Sequence, residues 1–120
     1  MVGQSISGKS EQAIQSECVV WLWNNHPETR GLFCYNLGNS KNAIDGAKNK
    51  GMGLISGRSD TVLYWGAVAY MIEFKTDDGR QGKSQIDWQL LIEKQGFKYF
   101  VVRSLAEFQK LIVNILDGLL

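Results

Sequence analysis

Two alternating apolar runs separated by Gly66-Ala67 constrain this chain more than any other feature. Residues 57–65 read as one strand and 68–75 as the next. A Gly-X dipeptide between such runs signals a two-residue hairpin turn of type II′. In that register Trp65 faces Val68, and Asp60 falls opposite Glu73. Opposed side chains in a ladder have Cβ atoms roughly 4.5–5.5 Å apart, and like charges there destabilise the sheet. Two carboxylates held together call for a cation. Glu73 and Lys75 share a face because strand side chains alternate, while Ile72 and Phe74 point to the core. Two acids and an ammonium converging on one spot is a layout suited to metal-dependent phosphodiester chemistry.

The remaining features set limits around that hairpin. A chain of 120 residues, 44% apolar and with one proline, is long enough for a single core and too apolar to be disordered. A net charge of +1 does not announce a nucleic-acid partner, but Lys41, Lys48, Lys50 and Arg58 precede Asp60, and Arg80 and Lys83 follow Lys75. Cations around an acidic pair suit a phosphate backbone, although a solvated surface also accounts for them. Cys18 and Cys34 have no ligand partners at metal spacing and read as buried free thiols of a reducing compartment. His26, in the turn Asn25-His26-Pro27, has no nucleophile beside it, so zinc chemistry and a catalytic triad are disfavoured. No apolar run approaches the ~20 residues of a membrane span. The start of the chain lacks a signal-peptide core, and an intracellular, cytoplasmic protein without membrane contact is expected.

Along the chain, residues 1–9 are expected to be a flexible start. Ser10 caps a helix over 10–24 that buries Ile14, Cys18, Trp21 and Leu22; Glu11 begins its inward face, and Glu17 projects elsewhere. Residues 31–36 form a strand, and a short helix is possible over 42–50. After a loop at 76–83, Ser84 caps a helix with the stripe Trp88, Leu91 and Ile92, stopped by Gly96. Residues 98–102 form another strand, and Ser104 with Glu107 is a capping box opening a last helix. Its core face comprises Leu105, Phe108, Leu111, Ile112, Ile115 and Leu116. The order predicts an α/β domain over 1–120, a mixed sheet flanked by helices. Tyr64, Trp65 and Tyr70 would suit a partner or a dimer seam if exposed.

An acid followed by Glu-X-Lys on the neighbouring strand resembles the PD-(D/E)XK nuclease superfamily. The likeness extends through Lys50-Gly51-Met52-Gly53-Leu54-Ile55-Ser56-Gly57-Arg58-Ser59-Asp60, Ile72-Glu73-Phe74-Lys75, Gly82-Lys83-Ser84-Gln85-Ile86-Asp87-Trp88, Gly96-Phe97 and Val101-Val102. Over roughly residues 10–112 the chain resembles the virus-type replication-repair nuclease (VRR-NUC) family, with Ser59 where members often carry proline. The resemblance implies a restriction-endonuclease-like fold and a Mg²⁺- or Mn²⁺-dependent deoxyribonuclease. It further implies that Asp60, Glu73, the backbone carbonyl of Phe74 and Glu11 hold the metal. Lys75 orients or deprotonates the attacking water, and Gln85 steadies the lysine or that water. Glu17 is the alternative to Glu11. Small members resemble Holliday-junction resolvases used in DNA repair, which implies branched DNA as substrate and a homodimer. A flap or nonspecific nuclease is the near alternative, and a nonenzymatic DNA-binding module or a structural interaction protein the distant ones.

Overall fold

The computed structural model describes residues 8–36 and 43–120. The expectations for residues 1–7, for Lys41 and for the start of the 42–50 helix lie outside the described residues. Helix α1 spans Glu11–Asn25, with Ser10 Oγ accepting a hydrogen bond from Ala13 N at 3.1 Å as its cap. Strand β1 (Phe33–Tyr35) and helix α2 (Ala43–Gly51) follow. The hairpin is β2 (Thr61–Trp65) and β3 (Val68–Phe74), after which come α3 (Lys83–Lys94), β4 (Lys98–Val102) and α4 (Leu105–Leu116). Among the described residues one sheet runs in the order β1-β2-β3-β4, antiparallel except for the parallel β3–β4 pair. The mixed sheet flanked by helices is thus the expected architecture.

Residue parity divides the core in two. Leu63, Tyr70, Ile72 and Phe74 face α1 and α4, meeting Ile14, Cys18, Leu22, Phe108 and Ile112. Val62, Ala69, Met71 and Tyr99 face the other way, toward Trp88 and Ile92 of α3. Strand β3 is therefore covered on both faces, which explains its nearly continuous apolar sequence. The second layer is the thinner one, and α3 has no fully buried residue. Leu91, expected in the core stripe, is 62% exposed, as Leu90 is at 61%. The stripe narrows to Trp88 and Ile92 because α3 contacts the sheet along a single edge. Tyr70 is buried in the main core and Trp65 is half-buried, so only Tyr64 of the three hairpin aromatics is exposed.

Three local expectations are corrected. The α3 cap is Gly82 rather than Ser84, because Gln85 reaches back to accept from Gly82 N at 2.8 Å and begins the helix earlier. Cys34 is exposed on the edge strand β1, whereas Cys18 is buried and its thiol is pushed up to about 12 by that burial. The hairpin register matches the expected one, with Trp65 opposite Val68 and Thr61 opposite Ile72. Its turn, however, has φ of 60° at Gly66 and 65° at Ala67, the positive pair of a type I′ turn rather than II′. The twist of the strands imposes the left-handed region on an alanine. Ala67→Gly is accordingly expected to stabilise the protein by about 0.5–1 kcal/mol, read as a higher urea midpoint. A lower midpoint would mean that the alanine conformation is not strained.

Candidate active site

The site lies where β2 begins and β3 ends. The ladder stops at Thr61 and Ile72, and side chains continue it: Thr61 Oγ1 donates to Ile72 O at 2.8 Å, and Asp60 Oδ2 accepts from Phe74 N at 2.7 Å. Asp60 thus sits one residue before the strand, its carboxylate anchored on the neighbouring backbone. Its main chain is pinned as well. Asn36 N donates to Asp60 O at 2.7 Å, Asn36 Nδ2 to Ser59 O at 3.1 Å, and the buried Ser59 hydroxyl to Thr61 O at 2.9 Å. A polar cavity of about 290 Å³ opens beside Asp60, lined among others by Gly57, Arg58, Ser84 and Gln85.

Glu73 and Lys75 are both buried, Glu73 completely. Lys75 Nζ lies 3.8 Å from Glu73 Oε2 and 3.8 Å from Glu11 Oε2, an ammonium held between two carboxylates at more than hydrogen-bond length. Glu73 Oε1 accepts from the Tyr99 hydroxyl, with Gln81 Nε2 3.5 Å away. Glu73 Oε2 is buried and accepts no hydrogen bond among the described residues. Such an atom costs free energy unless a cation or donor meets it. Burial also raises the Asp60 carboxyl above its ordinary range; the Phe74 N–H opposes this, and the charges of Glu73 and Glu11 add to it. Burial pushes the Tyr99 phenol up too, and its bond to Glu73 adds to the shift, so the hydroxyl stays protonated as a donor.

The raised Asp60 carboxyl gives a signed pH dependence. Without metal, the folded state binds a proton that the unfolded state has released, between the ordinary aspartate value of 3.8 and the raised one. Stability therefore falls as pH rises through that window and stays lower above it. Asp60→Asn is expected to flatten this fall, as urea midpoints in EDTA between about pH 4 and 8 would register. An equally steep fall in the variant would assign the effect to another group.

The remaining expected site residues are distributed unevenly. Glu11, half-exposed at the start of α1, reaches Lys75, whereas Glu17 pairs with Lys9 at 2.6 Å and faces a different cavity, beside Asp77 and Arg103. Gln85 lines the cavity beside Asp60, but its Oε1 is engaged in capping α3. Sequence reasoning missed Tyr99 and Gln81, the two donors to Glu73. Gln81 in turn donates to Gln89 Oε1 at 2.9 Å. The signal available was chemical: a tyrosine buried in a strand needs a partner for its hydroxyl. Arg103 was missed too. Its Nη1 donates to Thr76 O at 2.6 Å and Gly79 O at 2.7 Å, fixing the turn that follows Lys75.

Among the described residues, no three His, Cys, Asp or Glu side chains converge closely enough to hold a metal ion. The donors nevertheless fit a hard cation. Mg²⁺ is bound by one or two carboxylates and keeps several waters, and Glu73 Oε2 is a buried anionic oxygen with no hydrogen-bond donor.

No protein-family model matches the chain, and no curated protein matches it. A solved structure titled "VRR_NUC domain protein" superposes with a TM-score of 0.74 at 20% identity, over 90% of this chain and 88% of that one. The restriction-endonuclease-like fold implied by the sequence resemblance is the fold of this chain.

Proposed function

We propose that the chain is a VRR-NUC-type, divalent-metal-dependent DNA endonuclease acting on branched DNA as a homodimer. The observation that carries this reading is the buried Glu73 with Oε2 turned toward Lys75, next to an Asp60 whose carboxylate is fixed on Phe74 N. Asp60, Glu73 and the Phe74 carbonyl would hold Mg²⁺ or Mn²⁺, with Glu11 adding its charge directly or through water. When bound, the ion would polarise the scissile phosphate and lower the pKa of water.

The protein's own groups do the rest. Asp60 and Glu73 are preorganised by backbone and phenol hydrogen bonds, so they do not reorganise during reaction. Lys75, buried and 3.8 Å from each of two acids, places its amino group where negative charge grows on the phosphate, and it can orient the attacking water. Gln85 lines the same cavity as Asp60 and can hold that water through its amide nitrogen while its oxygen caps α3. Arg58 in the cavity wall, with exposed Lys48, Lys50 and Arg80, supplies cations for the DNA backbone. The exposed Ile86, Leu90 and Leu91 of α3 support a self-associating surface, and two linked sites suit paired strand cuts. Among the described residues no helix is long and apolar enough to cross a membrane, and an intracellular location belongs to this reading as an expectation.

Cleavage of labelled four-way junction, flap, duplex and single-stranded DNA with Mg²⁺, Mn²⁺ or EDTA tests the reading. Paired symmetric nicks at the junction are expected, lost in EDTA and lost in Asp60→Asn and Glu73→Gln, with DNA binding retained. Metal-dependent cutting of other shapes would keep the nuclease and discard the resolvase. Normal turnover by either variant would remove the metal-ligand assignment. Binding without any metal-dependent cutting would leave a DNA-binding module.

A further inference from the structure

The two oxygens of Glu73 are treated differently by the fold. Oε1 accepts from the Tyr99 hydroxyl and faces Gln81 Nε2 at 3.5 Å, while Oε2 is buried without a hydrogen-bond donor, 3.8 Å from Lys75 Nζ. Tyr99 is itself held in place. Its ring is buried on β4, and Trp88 of α3 meets it edge-on with centroids 6.1 Å apart. The phenol cannot swing away from Oε1 without repacking the smaller core.

We propose that Tyr99 is a positioning residue that occupies Glu73 Oε1 and leaves Oε2 alone for a divalent cation, so the site selects Mg²⁺ or Mn²⁺ over Ca²⁺. The inference rests on the metal-dependent reading above. Its physical basis is coordination number: Ca²⁺ takes six to eight oxygens and readily accepts both oxygens of one carboxylate, whereas Mg²⁺ demands an octahedron and binds one. A carboxylate with one oxygen committed to a phenol offers the second arrangement. Removing the hydroxyl while keeping the ring leaves Oε1 with only the long contact from Gln81 Nε2 at 3.5 Å and so opens it to two-oxygen binding.

The test is Mn²⁺ binding to DNA-free protein, followed by electron paramagnetic resonance of the free ion, with Ca²⁺ as competitor. Tyr99→Phe is expected to improve Ca²⁺ competition relative to Mn²⁺ by about tenfold, a difference of about 1.4 kcal/mol. Loss of packing alone would weaken both ions together. A Ca²⁺-to-Mn²⁺ ratio within about twofold of wild type overturns the inference while leaving the metal site intact. Failure of wild type to bind Mn²⁺, or binding that Glu73→Gln leaves unchanged, overturns the metal reading itself and this inference with it. Should Tyr99→Phe fold poorly, wild type labelled with ¹³C at tyrosine Cζ answers the question. The Tyr99 signal is expected to remain that of a hydrogen-bonded phenol when Mg²⁺ is added, and loss of that bond on Mg²⁺ addition overturns the inference.

Discussion

Lys75→Met is expected to reduce cleavage by about 10²–10³-fold and to destabilise the metal-free protein by about 3–5 kcal/mol. The two effects have one origin. Lys75 Nζ is 3.8 Å from a fully buried carboxylate, and a methionine of similar volume leaves Glu73 without its cation. Breaking a buried pair from one side is costly because the remaining charge is uncompensated where water cannot reach it. Glu11 cannot take the lysine's place, since it is also negative and is itself 3.8 Å from the same ammonium. The same argument predicts how metal behaves. With the ammonium gone, the site is more negative, so Mg²⁺ should raise the unfolding midpoint of Lys75→Met more than that of wild type. Urea unfolding with EDTA and with Mg²⁺ would read both quantities. A variant as stable as wild type, with no larger Mg²⁺ shift, would show that the lysine does not neutralise Glu73. If weaker DNA affinity were the sole consequence, Lys75 would be a phosphate contact.

Gly57→Ala is the second large effect expected, on stability and activity together. Gly57 has φ of +82°, and a Cβ there would lie 2.4 Å from Ser84 C and O and 2.8 Å from Gln85 N. All three atoms are backbone, so no side-chain rotation relieves the contact. The left-handed conformation costs about 1–2 kcal/mol for an L-residue, and forced overpacking adds about 1–3 kcal/mol. Gly53 provides the control: its φ is +100°, but nothing lies within 4 Å of its Cβ position. Gly53→Ala should therefore show the conformational cost alone, and the difference between the two variants measures the close approach. Activity should follow, because Gly57 docks the segment carrying Asp60 onto the start of α3. A misplacement of about 1 Å at such a centre can cost about 10²-fold in rate. Equal unfolding midpoints for the two alanine variants would mean that the segment and helix can separate freely.

The sequence alone carried the hairpin register, because a two-residue turn between alternating runs leaves one pairing that buries Leu63, Tyr70 and Ile72 together. From that register followed the proximity of Asp60 and Glu73 and the shared face of Glu73 and Lys75, which are local consequences of strand geometry. The caps Ser10 and Ser104 were legible for the same reason: each bonds to an amide three residues away. Tertiary structure decided whatever depends on elements distant in the chain. Whether Glu11 or Glu17 meets Lys75 depends on how α1 rotates against the sheet, because the two acids lie about 1.7 turns apart along the helix and about 120° apart around it. Tyr99 reaches Glu73 only because β4 lies parallel beside β3, a placement that no local pattern encodes. Leu91 looked like core by helical spacing, yet α3 touches the sheet along one narrow edge and leaves it exposed. Local periodicity identifies what can be buried. Only the packing of distant elements determines what is buried, and in this protein it decides which oxygen of Glu73 is left without a hydrogen bond.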